Sequence, residues 1–463
     1  MECKRITSHP VILAQFLNRF RLVFGQLEVL RHCLPSNVRR TLKELPKSIE
    51  KTYERILKDI KEPNRDHAHR IFQCLVVAVR PLRVEELAEV LAVDFDDPGG
   101  IAKLKPSWRR DDEERALLSS CSSLITIVTS DNSRVVQFSH FSAKQFLTSP
   151  RLTASSGDLS HYHVALNPAH TTLGRACLAV LLRSGDPLEN GIRKNSPLAG
   201  YAAQHWVTHA QFEDVSSSLR KPMEYLFDLD NPYFAAWLKL HDVDVRPGPG
   251  STFFMFGPYH KSDASPLYYT ALCGFHDLAE HLIDKYPQQV NAHGGYLVTP
   301  LVAALVQEHF KLAELLLRHG AATTANAREN KRIPLQSAAF YGQIDVVRFL
   351  LNHNADVNSR DDHGWTALHC VGHSRQGSRQ LEKVTRLLLE RGADLNARNH
   401  TGNTPLLKAV DSGNVTVARV LLEHRANVDA EDKEGRTPFQ LALGHEQKEM
   451  IKLLSEHGAK GSQ

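Results

Sequence analysis

TPLLKAVDSGNVTVARVLLEHRANVDAEDKEGRTPF, residues 404–439, opens and closes on one tripeptide pattern, Thr404-Pro405-Leu406 and Thr437-Pro438-Phe439. Thr before Pro is a helix N-cap followed by a residue whose fixed φ suits a first helical turn. Upstream the pattern recurs as Ser265-Pro266-Leu267, Thr299-Pro300-Leu301, Ile333-Pro334-Leu335 and Thr366-Ala367-Leu368, at intervals of 34, 34, 33, 38 and 33 residues through the last copy. Each copy precedes a second apolar block: DLAEHLI, KLAELLL, DVVRFLL, KVTRLLL, TVARVLL and EMIKLLS. Most units close on Gly-Ala or a variant, as at Gly320-Ala321, Asn354-Ala355, Gly392-Ala393 and Gly458-Ala459. A Gly after the Leu run supplies the left-handed position that stops a helix. Small pairs such as Ala338-Ala339 let the first helix approach its neighbours closely. One such unit cannot bury its apolar face alone, whereas stacked units can, so the array reads as a solenoid.

Six copies in register resemble the ankyrin repeat, over residues 261–463. Three departures stand out. Repeat two has Glu308 where Gly is expected between the helices, and repeat four has Ala367 for Pro with a longer inter-helix segment near His373–Leu381. Repeat six has a polar outer helix (Glu446, Gln447, Lys448, Glu449, Lys452, Glu456), as a terminal cap facing water should. The resemblance implies a protein ligand on the concave edge formed by loop tips and inner helices. The tip residues are Tyr296, Glu329, Asn330, Arg332, Asp362, His363, Trp365, His400, Asn403, Lys433, Glu434 and Arg436; Phe340, Tyr341 and Asp411 face the same groove from inner helices. Interface energy concentrates in buried Trp, Tyr and Arg anchors. Two roles stay open for Phe340 and Trp365: anchors for a partner, or packing between helices and cover for a hairpin.

The 463 residues are too many for one ordinary core. Lys and Arg number 56 against 52 Asp and Glu, a net charge of +4. Split at residue 260, the C-terminal part is neutral and the N-terminal part carries the small excess. Neither shows the concentrated basic face of a nucleic-acid binder. Seven scattered cysteines without a Cys-x-x-Cys pair fit a reducing compartment and buried thiols. No apolar run reaches the length of a membrane span and no signal peptide is read, so the expected location is the cytoplasm.

The front half has a different texture. SIEKTYERILKDI (48–60), HAHRIFQCLVVAV (67–79) and VEELAEVLAV (84–93) have helical spacing. LITIV and RVVQFSH flank Ser130-Asp131-Asn132-Ser133 as two strands and a turn between 124 and 139, and FSAKQFLTS returns to helix. Helices followed by a β-hairpin predict a winged-helix domain. LPKSIEKTYERIL, RPLRVEELAEVLAVDF and VVQFSHFSAKQFLTS resemble the winged-helix segment behind the NACHT domain of fungal NACHT–ankyrin receptors, of the type named after GPI inositol-deacylase. PLAGYAAQHWVTHAQF (197–212) and NPYFAAWLKLHDVD (231–244) resemble the helical connector of those receptors, mushroom ones especially. The resemblance implies membership of the STAND signalling class and contact with a NACHT-type domain. The phosphate loop of such a domain, G-x-x-x-x-G-K-[ST], is missing from the sequence, and GQLEVLRHCLP (25–35) reads as a last trace of it.

The expected architecture is therefore mainly α: an N-terminal helix over 1–34, a winged-helix-like domain over 35–150, a helical connector over 151–260 and an ankyrin-repeat solenoid of about six repeats over 261–463. Helix 84–93 carries Glu85, Glu86 and Glu89, which phosphate would repel, so the winged helix is expected to pack rather than bind DNA. His67-x-His69 and His161-x-His163 are poor chelates, because residues two apart on a helix diverge. His445-Glu446-Gln447-Lys448-Glu449 misses the H-E-x-x-H zinc pattern at its last position, and no G-x-S-x-G elbow exists. His369 occupies the place where ankyrin repeats put a structural His. The expected function is a protein-binding module with no catalytic residue, cofactor or metal, acting as the sensor half of a NACHT-type receptor. A stand-alone scaffold is the alternative, and an enzyme with an unrecognised site is a third reading.

Overall fold

The computed structural model describes residues 48–97, 100–109, 112–121, 124–130, 133–154, 158–183, 196–241, 243–244, 264–295, 297, 299–323, 334–374 and 378–459. Segment 1–34, with its suggested NACHT remnant, lies outside the described residues, as do Tyr296, Glu329, Asn330 and Arg332. The chain divides into two compact units, the second beginning at Asp244.

In the first unit, α1 (Ile49–Lys58) starts at Ser48, whose hydroxyl accepts the Lys51 N–H, and buries Tyr53, Ile56 and Leu57. Helix α2 (Arg65–Val77) is more deeply set, with Ile71, Phe72 and Cys74 inaccessible. Strand β1 (Leu82–Arg83) leads into α3 (Val84–Leu91), and the short strands β2 (Val93–Asp94) and β3 (Lys103–Leu104) pair antiparallel. Helix α4 (Glu113–Cys121) precedes the hairpin of β4 (Ile125–Ser130) and β5 (Ser133–Phe138), in which Ile127 faces Val136. Val136 also faces Leu82, so β5 is the central strand of a three-stranded antiparallel sheet. Helix α5 (Phe141–Leu147) comes next, with His140 as its N-cap. The expected winged helix is present.

Its helix assignment needs one correction. The helix directly before the wing, where a recognition helix would lie, is α4 rather than 84–93. Nor do two of the three glutamates of α3 face solvent as a phosphate-repelling surface, Glu85 alone being partly exposed. Glu86 and Glu89 are 0% and 1% exposed. Glu86 accepts both guanidinium nitrogens of Arg80 and the N–H of Arg83, while Glu89 is held by Arg109, Ser196 Oγ (2.8 Å) and the Leu198 N–H (2.7 Å).

The bonds from Ser196 and Leu198 tie the winged helix to the connector. Helix α6 (Leu166–Leu181) packs on α2, and α7 (Ala199–Ala210) packs on α6. Gly174 of α6 allows a close approach, since a Cβ there would stand 2.8 Å from Leu219 Cδ1. Trp206 of α7 meets Trp237 of α8 (Tyr233–Leu240) at 5.3 Å, and the Trp237 indole donates to the Ala203 carbonyl. The connector thus shares one core with the winged helix instead of forming a separate domain.

The second unit is the solenoid. Inner helices α9 (Pro266–Cys273), α11 (Pro300–Val306), α13 (Pro334–Phe340), α15 (Ala367–His373), α17 (Pro405–Asp411) and α19 (Pro438–Gly444) alternate with outer helices. The outer helices are α10 (His276–Lys285), α12 (Phe310–Arg318), α14 (Ile344–Asn352), α16 (Ser378–Glu390), α18 (Val415–Glu423) and α20 (Lys448–Glu456). Ser265, Thr299, Thr404 and Thr437 each accept a backbone N–H from the third residue on, as their N-cap reading requires. The long interval of repeat four is mainly extra outer helix, since α16 has 13 residues and α14 has 9. In repeat six Met450, Leu453 and Leu454 face the stack, while Lys448, Glu449, Lys452 and Glu456 face water.

Candidate protein-binding site

The fingers of the solenoid are fixed by one repeated device. Asp361 Oδ1 accepts the N–H groups of His363 (2.9 Å) and Trp365 (2.7 Å). Asn399 Oδ1 does the same for Thr401 and Asn403, and Asp432 Oδ1 for Glu434 and Arg436. All three side chains are buried, and a backbone bond from each N–H to the carbonyl four residues on closes the turn. Burial alone would raise the Asp432 carboxyl, but the N–H groups and guanidinium of the tip hold it below its ordinary value. Successive tips are then stitched together. The His400 N–H donates to the His363 carbonyl (2.9 Å), and the Lys433 N–H to that of Thr401 (3.2 Å). At Gly402, φ is +79° and a Cβ would lie 2.9 Å from the Lys433 nitrogen, so only glycine fits.

Inner-helix side chains bridge neighbouring repeats. His369 is inaccessible. Its Nδ1 meets the Thr366 N–H and hydroxyl, and Nε2 meets the Asn403 carbonyl at 2.9 Å. The expected structural role of His369 is what the geometry displays, and burial pushes its pKa down to about 4. One repeat earlier, Gln336 occupies the equivalent place and donates to the Trp365 carbonyl at 2.7 Å.

On this frame lies a mixed aromatic and charged patch across three repeats. Trp365 is half-buried, with the His373 ring edge-on at 5.3 Å and Lys408 Nζ 5.7 Å from its centroid. Lys408 donates to Asp411 at 3.2 Å, and His445 Nε2 stands 3.7 Å from the same carboxylate. His373 Nδ1 lies 3.0 Å from Ser412 Oγ. Lys408, His373, Ser412 and His445 are not among the expected site residues. Their signal is positional, because all but Lys408 lie six or seven residues after the first inner-helix residue of their repeats.

The expected residues divide. Asp362, His363, His400, Lys433 and Arg436 are exposed on the tips. Arg436 is already engaged, by two nitrogens on Asp432 and a third on Glu434. Tyr341 is half-buried at the end of α13, edge-on to Phe340 at 5.2 Å. For Phe340 the packing role holds rather than the anchor role, and the expectation for Asn403 is corrected. Phe340 is 5% exposed and packs inside the inner-helix layer, and Asn403 is 7% exposed with its amide on Thr401 Oγ1. Neither side chain is available to a partner, because each completes the frame.

Sequence comparison agrees with this architecture. Residues 321–399 and 373–463 match the family described as ankyrin repeats (3 copies), and residues 53–157 match the winged helix domain of GPI inositol-deacylase. The C-terminal part is an ankyrin-repeat solenoid behind a winged-helix domain of that type. Such repeats are a protein–protein interaction module. The chain is 29% identical over 297 residues to azaphilone pigments biosynthesis cluster protein L of Monascus ruber, covering 60% of this chain and 61% of that one. It is 36% identical over 105 residues to ankyrin repeat and SAM domain-containing protein 6 of Mus musculus, covering 23% of this chain and 12% of that one. It therefore spans about three fifths of the first relative and a small part of the second. Among solved structures, the ankyrin repeat domain of Bcl-3 aligns at 25% identity and a TM-score of 0.38, over 43% of this chain and 89% of that one.

Among the described residues no group of three His, Cys, Asp or Glu side chains could hold a metal ion, and no helix is long and apolar enough to cross a membrane. Cys74, Cys121, Cys177, Cys273 and Cys370 are buried free thiols, and burial pushes Cys74 up to about 12. Members of the two His-x-His pairs meet each other, with the His69 and His161 rings 5.1 Å apart.

Proposed function

We propose that the patch centred on Trp365 anchors a protein ligand, and that the chain is the sensor and regulatory part of a NACHT-type signalling receptor acting in the cytoplasm without catalysis of its own. The observation that carries the binding reading is a half-exposed Trp365 flanked by His373 and by Lys408, which Asp411 holds, on a frame whose tips at 361–365, 399–403 and 432–436 are internally bonded. A rigid aromatic beside charged groups is the composition of an interface anchor. The receptor reading is supported by the order of modules, a GPI inositol-deacylase-type winged helix followed by ankyrin repeats. The shared core of winged helix and connector offers a route by which the first unit could answer to a NACHT-type domain. Exposed tip residues Asp362, His363, His400 and Lys433 would form the rim of the ligand site.

The test is affinity capture of the ligand on the full chain, with Trp365→Ala as comparison. Loss of Trp365 weakens binding by about 2 kcal/mol, roughly 30-fold, with circular dichroism and melting temperature unchanged. Equal capture by both chains removes Trp365 from the site. Co-expression with a NACHT domain separates receptor from scaffold: association through residues 48–243 favours the receptor, and its absence favours a stand-alone scaffold.

A further inference from the structure

Five carboxylates cluster in the winged-helix domain, Glu85, Glu86 and Glu89 on α3 and Glu113 and Glu114 on α4. Arginines answer four of them. Arg80 and Arg83 hold Glu86 at 2.7 and 3.0 Å, Arg109 holds Glu89, and Arg134 reaches Glu114 at 2.6 Å and Glu85 at 3.8 Å. Glu113 has no ion-pair partner among the described residues. Burial, and then the nearby Glu85, raise its carboxyl above the ordinary range, while the Arg109 charge pulls the other way.

Glu113 also lines a groove of about 330 Å³ between α2, α3 and α4. Its walls are Ala88, Leu91, Ala116 and Leu117 with the polar His67 and Ser120 beside them, and Trp108 borders it with 53% of its surface exposed. A surplus carboxylate, an apolar slot and an open indole together suit one chemistry, a cation on an aliphatic stem.

We propose that this groove is a second protein-docking site, which takes a lysine or arginine side chain of a partner with its stem against Leu91 and Leu117, and its charged head between Glu113 and the Trp108 ring. The local charge balance sets the sign of the occupant, because Glu113 is the carboxylate that the arginines leave over. A polypeptide is favoured over a free amine because the bordering Trp108, 53% exposed, leaves apolar surface that a single amine does not cover.

The experiment uses the full chain labelled with fluorotryptophan, whose four tryptophan resonances are read by 19F NMR. Trp108→Phe assigns the Trp108 signal. The probes are acetyl-Leu-Arg-Leu-amide, acetyl-Leu-Lys-Leu-amide, the same peptide with norleucine at the centre, and butylammonium. The cationic peptides shift the Trp108 signal saturably at millimolar concentration, and Glu113→Gln weakens them at least tenfold without moving the other three signals. Norleucine peptide and butylammonium bind at least tenfold more weakly than the arginine peptide. Equal binding of the norleucine peptide, an unchanged Glu113→Gln chain, or no shift at all overturns the proposal. Butylammonium as tight as the peptides also overturns it, by making the groove a small-amine site.

Discussion

Glu308 and Arg425 hold left-handed backbone, at φ 59° and 66°, at the ends of helices where other repeats place glycine. A side chain there costs about 1–2 kcal/mol, against a smaller loss of unfolded-chain freedom when glycine is present. Glu308→Gly should therefore raise unfolding free energy by about 0.5–1 kcal/mol, and Gly402→Ala should lower it by at least about 1 kcal/mol. Urea melts of both variants check this. Buried histidines supply a pH signature. His69 and His369 are pushed down to about 4 and His209 to about 3, in each case by burial. Their folded values lie below the unfolded value of about 6.5, so the unfolded chain binds more protons on the way down. Their stabilisation is complete above about pH 6.5 and is lost as pH falls toward 4 and then 3. His369→Gln should flatten part of that loss at little cost, because Gln336 does the same bridging job without titrating in that range. Unfolding free energies at pH 7 and 5 that change equally in both chains would contradict this. Among the tip carboxylates, Asp362 is the one expected at the rim, yet Asp361 builds the turn. The sequence signal for the turn is an Asx-x-x-Gly spacing repeated at Asp361–Gly364, Asn399–Gly402 and Asp432–Gly435.

Elements with full periodicity are legible. Helices near 49–58, 65–77 and 84–91, the 125–138 hairpin and the six inner–outer pairs can all be read from spacing and caps. The elements that escape are the two-residue strands β1, β2 and β3, too short to show a period, and α4, whose charged and serine-rich sequence EERALLSSC masks its apolar side. Without α4, helix 84–93 falls next to the wing and its glutamates point outward. They are instead joints. Glu89→Ala would leave Arg109, Ser196 and the Leu198 N–H without their acceptor, a loss of about 3 kcal/mol for a buried charge network. Thermal unfolding measures it, and a change below about 0.5 kcal/mol would show the joint to be idle.

At the scale of the whole chain, two units carry different kinds of information. The solenoid's identity is set by a period of 33 or 34 residues, broken once by an interval of 38, which no single repeat reveals. The fusion of winged helix and connector into one core is not legible, because Glu89 and Leu198 lie 109 residues apart and no local pattern links them. The proposed binding patch is half legible. Trp365 and the tips are readable from repeat position, whereas Lys408 and His373 acquire meaning only once α15 and α17 are side by side. The central claim is that the inner-helix and fingertip face, not the outer face, receives a protein. Photo-crosslinking from benzoylphenylalanine placed at His363, at His445 or at Arg348 of outer helix α14 tests it most directly. The account predicts that positions 363 and 445 capture the same protein while 348 captures nothing. Capture from 348 alone, or equally from all three, would contradict it.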